Sequence, residues 1–264
     1  MCLIFIAINQ HPEYPLIIAG NRDEFYRRPT APLSFWPDRS DILAGRDLEA
    51  GGTWLGVTRS GRIAAVTNYR DPSRVSDNAP SRGLLVRDFL AGDSTPQAFS
   101  RANADRMARC NGFNLIFGDV TSLYYYSNRS DTPPARIPAG LHAVSNHLLN
   151  TAWPKVTKGK AAMADLLAKK GPLDAEAVFT VLQDTEKAPE KSLPDTGVGP
   201  VWERLLSSIF IMSDVYGTRS ASLITVDNTY RVTFMERSYA PDASGRFAVS
   251  TESVNFQPDL FVVT

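Results

Sequence analysis

The sequence has few of the residues that mark several common classes of protein. Its 264 residues include two cysteines, Cys2 and Cys110, and three histidines. That is too few for a disulfide framework, and the spacing is not that of a structural zinc site. Twenty-eight basic residues balance 28 acidic ones, so we expect neither nucleic acid nor an anionic membrane as the main partner. The Gly51-Gly52 pair lacks the following lysine of a phosphate-binding loop. We predict no metal site.

Long apolar runs are also missing. No stretch approaches the roughly 20 apolar residues that a membrane-spanning helix needs. The first segment lacks the basic start of a secretory signal, and polar residues follow its short apolar run at once. We therefore predict a cytoplasmic protein with no transmembrane segment. The chain is 43% hydrophobic and shows no internal repeat, so we predict a single domain over residues 1–264.

The first part of the chain predicts two β-hairpins. Residues 3–8 and 16–19 are apolar at nearly every position, which is typical of strands buried on both faces. Residues 53–58 and 63–67 form a second predicted hairpin, with Gly61 in its turn.

Helices and strands then alternate. Apolar residues at three- and four-residue steps predict one helix pair within residues 80–107 and another within residues 156–182. The remaining predicted strands cover residues 113–118, 123–127, 209–212, 221–227, 230–237 and 246–250. Two packed sheets with helices outside fit this order best. The Pro/Gly-rich segment 188–200 is predicted to form an active-site flap, because long loops inside compact domains are usually functional.

Cys2 is the first candidate for catalysis. A side chain as small as cysteine normally lets the cell remove Met1, which would leave a thiol and a free α-amine on one residue. An α-amine titrates near ~7.7–8.0, so a useful fraction can accept a proton at pH 7. A thiol beside its own base can attack an amide carbonyl. The alternative is that Cys2 simply packs in the core, as free cysteines often do.

Four polar residues, Asn21, Arg22, Asp23 and Glu24, follow the second predicted strand. In an extended chain, Asn21 and Asp23 face one way and Arg22 and Glu24 face the other. One of these pairs can then reach Cys2. The alternative is a salt bridge at the end of the strand.

Three further residues stand at the ends of apolar strands. Asn68 and Asn146 each close an apolar segment, and Arg219 opens a later one. An amide NH₂ group is a neutral donor suited to a developing oxyanion, although asparagine is also a common turn residue. Arg219 is a candidate to project into the same site.

Five sequence blocks together resemble one family. They are AGNRDEF (19–25), GGTWLGV (51–57), VTNYR (66–70), VSNHLLNTAWPKV (144–156) and YGTRSASLI (216–224). In this order they resemble the NRDE family, the family of the transport and Golgi organisation protein 2. That family is similar to N-terminal nucleophile (Ntn) hydrolases of the choloylglycine hydrolase and penicillin V acylase type. The resemblance implies an α+β fold, a four-layer αββα sandwich of the Ntn-hydrolase type.

The resemblance also implies residue roles. Cys2 matches the nucleophile of those hydrolases, and Arg22 and Asp23 resemble their strand-end arginine and aspartate. In those enzymes two residues separate the arginine from the aspartate, whereas here the two adjoin. Either Asp23 or Glu24 can therefore take the carboxylate role.

Asn68 and Asn146 resemble the oxyanion asparagines of those enzymes, and Arg219 resembles their late arginine. The implied reaction is acyl transfer from an amide or thioester. The Cys2 sulfur attacks the carbonyl, a thioester forms, and water releases the acyl group. Hydrolysis of this kind requires no cofactor.

A competing, non-catalytic function is implied by the same family. NRDE proteins are associated with haem trafficking and with lipid or acyl-CoA handling. His142 and His147 flank Asn146, and either histidine or Cys2 is a candidate haem ligand. The alternative for each histidine is an ordinary hydrogen-bonded position.

Asn21, Glu24 and Trp153 are the remaining candidates for contact with a substrate or haem. For Trp153 the alternative is an ordinary core position. The expected partner is a small amide, acyl or haem ligand. The sequence leaves the substrate and the oligomeric state open.

Overall fold

Two antiparallel sheets form the centre of the molecule. The computed structural model describes residues 2–241 and 247–259. Strands and helices are numbered in chain order. The six-stranded sheet contains, in spatial order, β10 (Gly140–Val144), β1 (Cys2–Ile8), β2 (Leu16–Phe25), β11 (Tyr216–Val226), β12 (Val232–Pro241) and β13 (Phe247–Phe256). The seven-stranded sheet contains β3 (Thr30–Trp36), β4 (Arg39–Asp47), β5 (Leu55–Thr58), β6 (Arg62–Asn68), β7 (Phe113–Asp119), β8 (Ser122–Ser127) and β9 (Ala135–Arg136).

Helices cover the outer faces of both sheets. They are α1 (Gly83–Ala91), α2 (Pro96–Ala102), α3 (Ala104–Arg109), α4 (Pro154–Leu167), α5 (Ala175–Leu182) and α6 (Pro200–Leu205). Over the described part of the chain, no helix is long and apolar enough to cross a membrane.

Successive side chains of the buried strands point to opposite faces of the sheet, so each strand packs against two layers. Ile4 and Ile6 of β1 pack between the sheets, whereas Leu3 and Phe5 pack against α4 and α5. A strand that is apolar at every position therefore serves two cores. On the seven-stranded sheet, the rings of Phe89, Phe99 and Phe117 meet edge to face with centroids 5.2 to 6.3 Å apart. The expected four-layer αββα sandwich is confirmed.

Both predicted hairpins are present. Strands β1 and β2 pair with Ile6 opposite Ile18. Strands β5 and β6 pair with Val57 opposite Ile63, and Gly61 takes the positive φ of 79° that the turn requires. The two predicted helix pairs are found as α1 to α3 and as α4 with α5. The last predicted strand is found as β13, although residue 246 lies outside the described residues.

Several parts of the secondary structure differ from the prediction, among them the short strand β9 and helix α6, which were not expected. Strands β3 and β4 were not expected, because β3 is an edge strand that carries Pro32 and exposes several side chains. The prediction of a strand at residues 209–212 is wrong. The segment is apolar, but its backbone is not paired as a strand: the N–H of Phe210 donates to the loop carbonyl of Asp184, and Ile211 exchanges two hydrogen bonds with Thr218 at the start of β11.

Candidate active site

Residues of both sheets line a cavity of about 400 Å³ at the start of β1. Five of the predicted site residues are on its wall, namely Cys2, Arg22, Asp23, Glu24 and Asn68. They meet there because β1 and β2 pair with Cys2 opposite Arg22, while β6 of the other sheet ends at Asn68. The structure thus brings the thiol, a guanidinium, two carboxylates and an amide to one place.

Cys2 is 7% exposed and faces the space between the sheets. Burial raises the pKa of its thiol and the charge of Asp23 raises it further, whereas the Arg22 guanidinium and the backbone N–H of Asp23 act in the opposite direction. Arg82, at the start of α1, also lines the cavity and donates to the carbonyl of Gly112 at 3.1 Å. The guanidinium groups of Arg22 and Arg82 therefore favour the reactive thiolate, against the effects of burial and of the Asp23 charge.

The two candidate carboxylates have different surroundings. Asp23 is buried, and its Oδ1 accepts a 2.7 Å hydrogen bond from Thr218 Oγ1. Burial raises the pKa of this carboxyl, and the charges of Lys155 and Arg22 lower it. Glu24 instead accepts from the backbone N–H of Phe25 and lies 4.0 Å from Arg28. This geometry favours Asp23 for the carboxylate role.

The two asparagines are in contact but differ in access. Asn146 is fully buried, and its Nδ2 donates to the carbonyl of Asn68 at 3.0 Å. Its own carbonyl accepts from the backbone N–H of Arg70 at 2.7 Å. Asn68 lines the cavity, and Asn146 bonds the backbone of Asn68.

Arg219 and Asn21 make contacts that lie away from the cavity wall. Arg219 Nη1 donates to the carbonyls of Phe25, Tyr26 and Arg28, which fixes the turn after β2. Asn21 Nδ2 donates to the carbonyls of Leu182 and Ile209 at 2.8 and 2.9 Å. Both hydrogens of that amide are used, so Asn21 holds the helix layer on the sheet instead of contacting a ligand.

The two histidines that are candidate haem ligands already have hydrogen-bond partners. His142 Nε2 lies 3.0 Å from the carbonyl of Pro138, and its Nδ1 lies 3.0 Å from Asn150 Nδ2. His147 Nδ1 bonds Thr151 Oγ1 at 2.9 Å, and burial lowers the pKa of this histidine. Both histidines have the ordinary hydrogen-bonded surroundings that were the alternative for them.

Trp153 lies beside a buried ion pair. The Arg70 guanidinium stacks 4.7 Å from the Trp153 ring, and Arg70 Nη1 bonds Glu203 Oε2 at 2.5 Å. Glu203 also accepts from the N–H and hydroxyl of Thr196. Through Thr196 and Glu203, the segment 188–200, which was predicted to be a flap, is connected to Arg70, two residues after Asn68. Its role as a flap stays a prediction.

Sequence reasoning missed several charged residues of this region. Arg82 and Glu236 line the cavity, and burial raises the pKa of the Glu236 carboxyl. Arg70 and Lys155 are part of the family-like blocks, so their position in VTNYR and WPKV was an available signal. Nothing in the sequence around Glu236 marked it.

Charge in the cavity is only partly neutralised. Arg28 pairs with Asp47 at 2.8 Å, and Arg46 pairs with Asp38 at 2.5 Å. Within residues 2–241 and 247–259, neither Arg22 nor Arg82 belongs to an ion pair. The cavity wall carries charges of both signs, so the cavity is suited to a polar ligand.

Comparison with known proteins supports the family resemblance. The profile of the Transport and Golgi organisation 2 family matches residues 1–241. The Transport and Golgi organization 2 homolog of Mus musculus is 34% identical over 276 residues, covering 97% of this chain and 100% of that protein. The Transport and Golgi organization protein 2 homolog of Homo sapiens is 35% identical over 257 residues, covering 90% and 93%.

A solved structure of the Caenorhabditis elegans N-acylethanolamine-hydrolyzing acid amidase ortholog is similar to this chain, with a TM-score of 0.49 and 12% identity. The similarity covers 84% of this chain and 92% of that one. The extent of the family match and the identity to its named members lead to one conclusion: this chain belongs to the Transport and Golgi organisation 2 family.

Proposed function

We propose that the chain is a cysteine-nucleophile hydrolase that acts on a small amide or thioester. One observation carries the proposal: Cys2, Arg22, Asp23 and Asn68 line the same cavity of about 400 Å³. A nucleophile, a carboxylate and a neutral amide donor within one cavity are the groups that acyl transfer needs. The charged wall supports a polar substrate over an apolar one.

The proposed reaction begins after removal of Met1, a residue outside the described part of the chain. The Cys2 thiol gives its proton to the α-amine of the same residue, and the sulfur attacks the substrate carbonyl carbon. Asn68 donates to the resulting oxyanion, and Asp23 orients the amine. The C–N or C–S bond breaks, and the leaving group takes the proton.

Water then completes the cycle. The water oxygen attacks the thioester carbonyl while the α-amine accepts a proton from that water. Asn68 again donates to the oxyanion. The C–S bond breaks, the acid leaves, and the sulfur regains its proton. Arg22 favours the thiolate at both stages.

The test combines intact mass with active-site labelling. Protein from its native host should lack Met1, and a thiol-reactive acyl probe should add one acyl group at Cys2. Cys2→Ala should abolish labelling. Cys110→Ala is the matched control, because Cys110 is a free buried cysteine in the separate core under α1. Retention of Met1, or labelling that survives Cys2→Ala, would remove the basis for a hydrolase.

The competing proposal is a non-catalytic carrier of haem, lipid or acyl-CoA. It predicts a Soret band on titration with haem, and the effect of Cys2→Ala on that band shows whether the cysteine is the ligand. With both histidines hydrogen-bonded, Cys2 is the candidate ligand that lines the cavity. Loss of the Soret band in Cys2→Ala would therefore place haem at the cysteine. If wild type shows no Soret band, the haem-carrier proposal is excluded and the hydrolase proposal remains.

A further inference from the structure

Polar side chains enter the layer between the two sheets beside the candidate site. On β6, Ile63 and Ala65 face this otherwise apolar layer, and the next residue on the same face is Thr67. Asn114 of β7 stands directly opposite Thr67, and both residues are fully buried. Polar groups buried in this way cost free energy unless they are hydrogen-bonded. Their partners therefore show what the pair holds in place.

These partners belong to the segment that follows β10 of the six-stranded sheet. The Thr67 hydroxyl donates to the backbone carbonyl of Ser145 at 2.7 Å. Asn114 Nδ2 donates to Thr67 Oγ1 at 3.0 Å and to the carbonyl of His147 at 2.9 Å. The hydroxyl of Tyr125 on β8 donates to Asn114 Oδ1 at 2.7 Å. Side chains from three neighbouring strands of the seven-stranded sheet thus fix a segment of the other sheet.

The same segment is attached to β1, the strand that begins with Cys2. Strand β10 pairs with β1 as far as Val144 opposite Ile4, and Ser145 is the next residue. The Ser145 hydroxyl lies 3.2 Å from the carbonyl oxygen of Cys2 and 3.1 Å from Oδ1 of Asn146. With one hydrogen, it can donate to one of these oxygens at a time. Strand pairing and this contact together connect Ser145 to the start of β1.

The segment is also bonded to the end of β6, where Asn68 is located. Asn146 Nδ2 donates to the carbonyl of Asn68 at 3.0 Å. The backbone N–H of Arg70 donates to the carbonyl of Asn146 at 2.7 Å. With the bond from the Thr67 hydroxyl, these contacts join the strand of the sulfur to the strand of Asn68.

We propose that Thr67 is a positioning residue of the candidate active site: its hydroxyl, by bonding Ser145 across the sheets, sets the separation between Cys2 and Asn68. Thr67 is not among the described residues that line the cavity, so it acts through Ser145 and does not touch a substrate. The catalytic meaning of this role rests on the proposed hydrolase function. The connection between the sheets is a property of the folded protein.

The test compares acylation and alkylation of Cys2 in protein from its native host. p-Nitrophenyl acetate acylates the sulfur through an oxyanion and releases nitrophenolate, whereas iodoacetamide loses iodide to the thiolate and forms no oxyanion. Thr67→Val keeps the shape of the side chain and removes the hydroxyl. It should lower the ratio of the acylation rate to the alkylation rate about tenfold, because a misplacement of ~1 Å can cost up to ~10²-fold. A general loosening of the fold would change both rates together.

Two control variants should keep the wild-type ratio. Thr67→Ser retains the hydroxyl. Thr58→Val makes the same chemical change at a buried threonine of β5, whose hydroxyl accepts from the N–H of Arg62 in the hairpin turn. A wild-type ratio in Thr67→Val, or an equal fall in Thr58→Val, would overturn the proposal. If Thr67→Val does not fold, Thr67→Ala is compared with Thr67→Ser, from which it differs by the hydroxyl alone, and the same outcomes decide.

Hydrogen exchange separates this proposal from the hydrolase proposal. The N–H of Arg70 is bonded to Asn146, and NMR should show it exchanging about tenfold faster in Thr67→Val, as expected for loss of about one hydrogen bond from the local structure. Thr67→Ser and Thr58→Val should exchange at the wild-type rate. If wild type is not acylated at Cys2, the hydrolase proposal fails by itself. Unchanged exchange at Arg70 in Thr67→Val would overturn the role of Thr67 whether or not the protein is a hydrolase.

Discussion

Glu203→Gln should destabilise the protein far more than an exposed charge change does. The Arg70 and Glu203 side chains are 3% and 4% exposed and lie 2.5 Å apart. Glutamine keeps the shape of glutamate but leaves the Arg70 charge buried without a partner. Loss of one member of a buried ion pair costs about 3–5 kcal/mol. We expect the lower end, about 3 kcal/mol, because glutamine can still accept from Thr196.

The assay is urea unfolding, with the free energy taken from the midpoint at an unchanged slope. Glu190→Gln is the matched control: it breaks the Arg204–Glu190 pair, whose side chains are 51% and 81% exposed. That change should cost no more than about 1 kcal/mol. The reasoning fails if Glu203→Gln and Glu190→Gln unfold at the same urea concentration.

The same variant should also disturb the candidate site. The backbone N–H of Arg70 donates to the carbonyl of Asn146, and Asn146 donates to the carbonyl of Asn68. If the ion pair holds this chain of contacts, acyl-probe labelling of Cys2 should slow in Glu203→Gln at temperatures where the protein is still folded. Labelling at the wild-type rate would show that Glu203 stabilises the fold without positioning the site.

Three further predictions address the site and the core. Asn68→Ala should slow acylation of Cys2 by about 10²–10³-fold, as expected for loss of one oxyanion donor, and a change under threefold in labelling rate would exclude that role. Gly159→Ala should lower the free energy of unfolding by about 1–3 kcal/mol, because an added Cβ would lie 2.1 Å from Phe5 Cζ; calorimetry that shows an unchanged midpoint would contradict it. Burial lowers the pKa of the Lys155 amine to about 8 in the folded protein, whereas an unfolded lysine has a pKa of ~10.4. Between these values the unfolded state binds more protons than the folded state. Wild type should therefore gain stability relative to Lys155→Met as the pH rises from 8 to 10. Parallel urea curves at every pH would refute this last expectation.

Hydrophobic pattern was sufficient to predict the buried strands. Residues 3–8 are apolar on both faces, and the structure uses both faces as core. The hydrophobic pattern missed a strand that is exposed at the edge of its sheet. It also predicted a strand in an apolar segment whose backbone groups are bonded by side chains and a loop. Strand β3 is an exposed edge that carries a proline, and residues 209–212 are apolar without being a strand. The carbonyl of Ile209 accepts from Asn21, which is 188 residues away, and the N–H of Ile211 donates to the side chain of Thr218.

The candidate site could be predicted in part, because its central residues are close to the ends of recognisable strands. Cys2, Arg22, Asp23 and Asn68 were found in this way, and all line the cavity. Glu203 could not be found, since its partner Arg70 is 133 residues away in the chain. Contacts of this kind depend on how the layers stack, which local patterns do not encode.

The direct adjacency of Arg22 and Asp23, which departs from the spacing of the similar hydrolases, has a physical consequence here. Strand β2 is continuous through both residues, so their side chains leave on opposite faces. Arg22 stands opposite Cys2 and faces the space between the sheets, while Asp23 faces Thr218 and the helix layer that holds Lys155. One inserted residue would place both on the same face and would remove either the cation from the sulfur or the carboxylate from Thr218. In this chain, adjacency therefore lets two neighbouring residues serve both faces of the sheet, with Arg22 on the side of Cys2 and Asp23 on the side of Thr218.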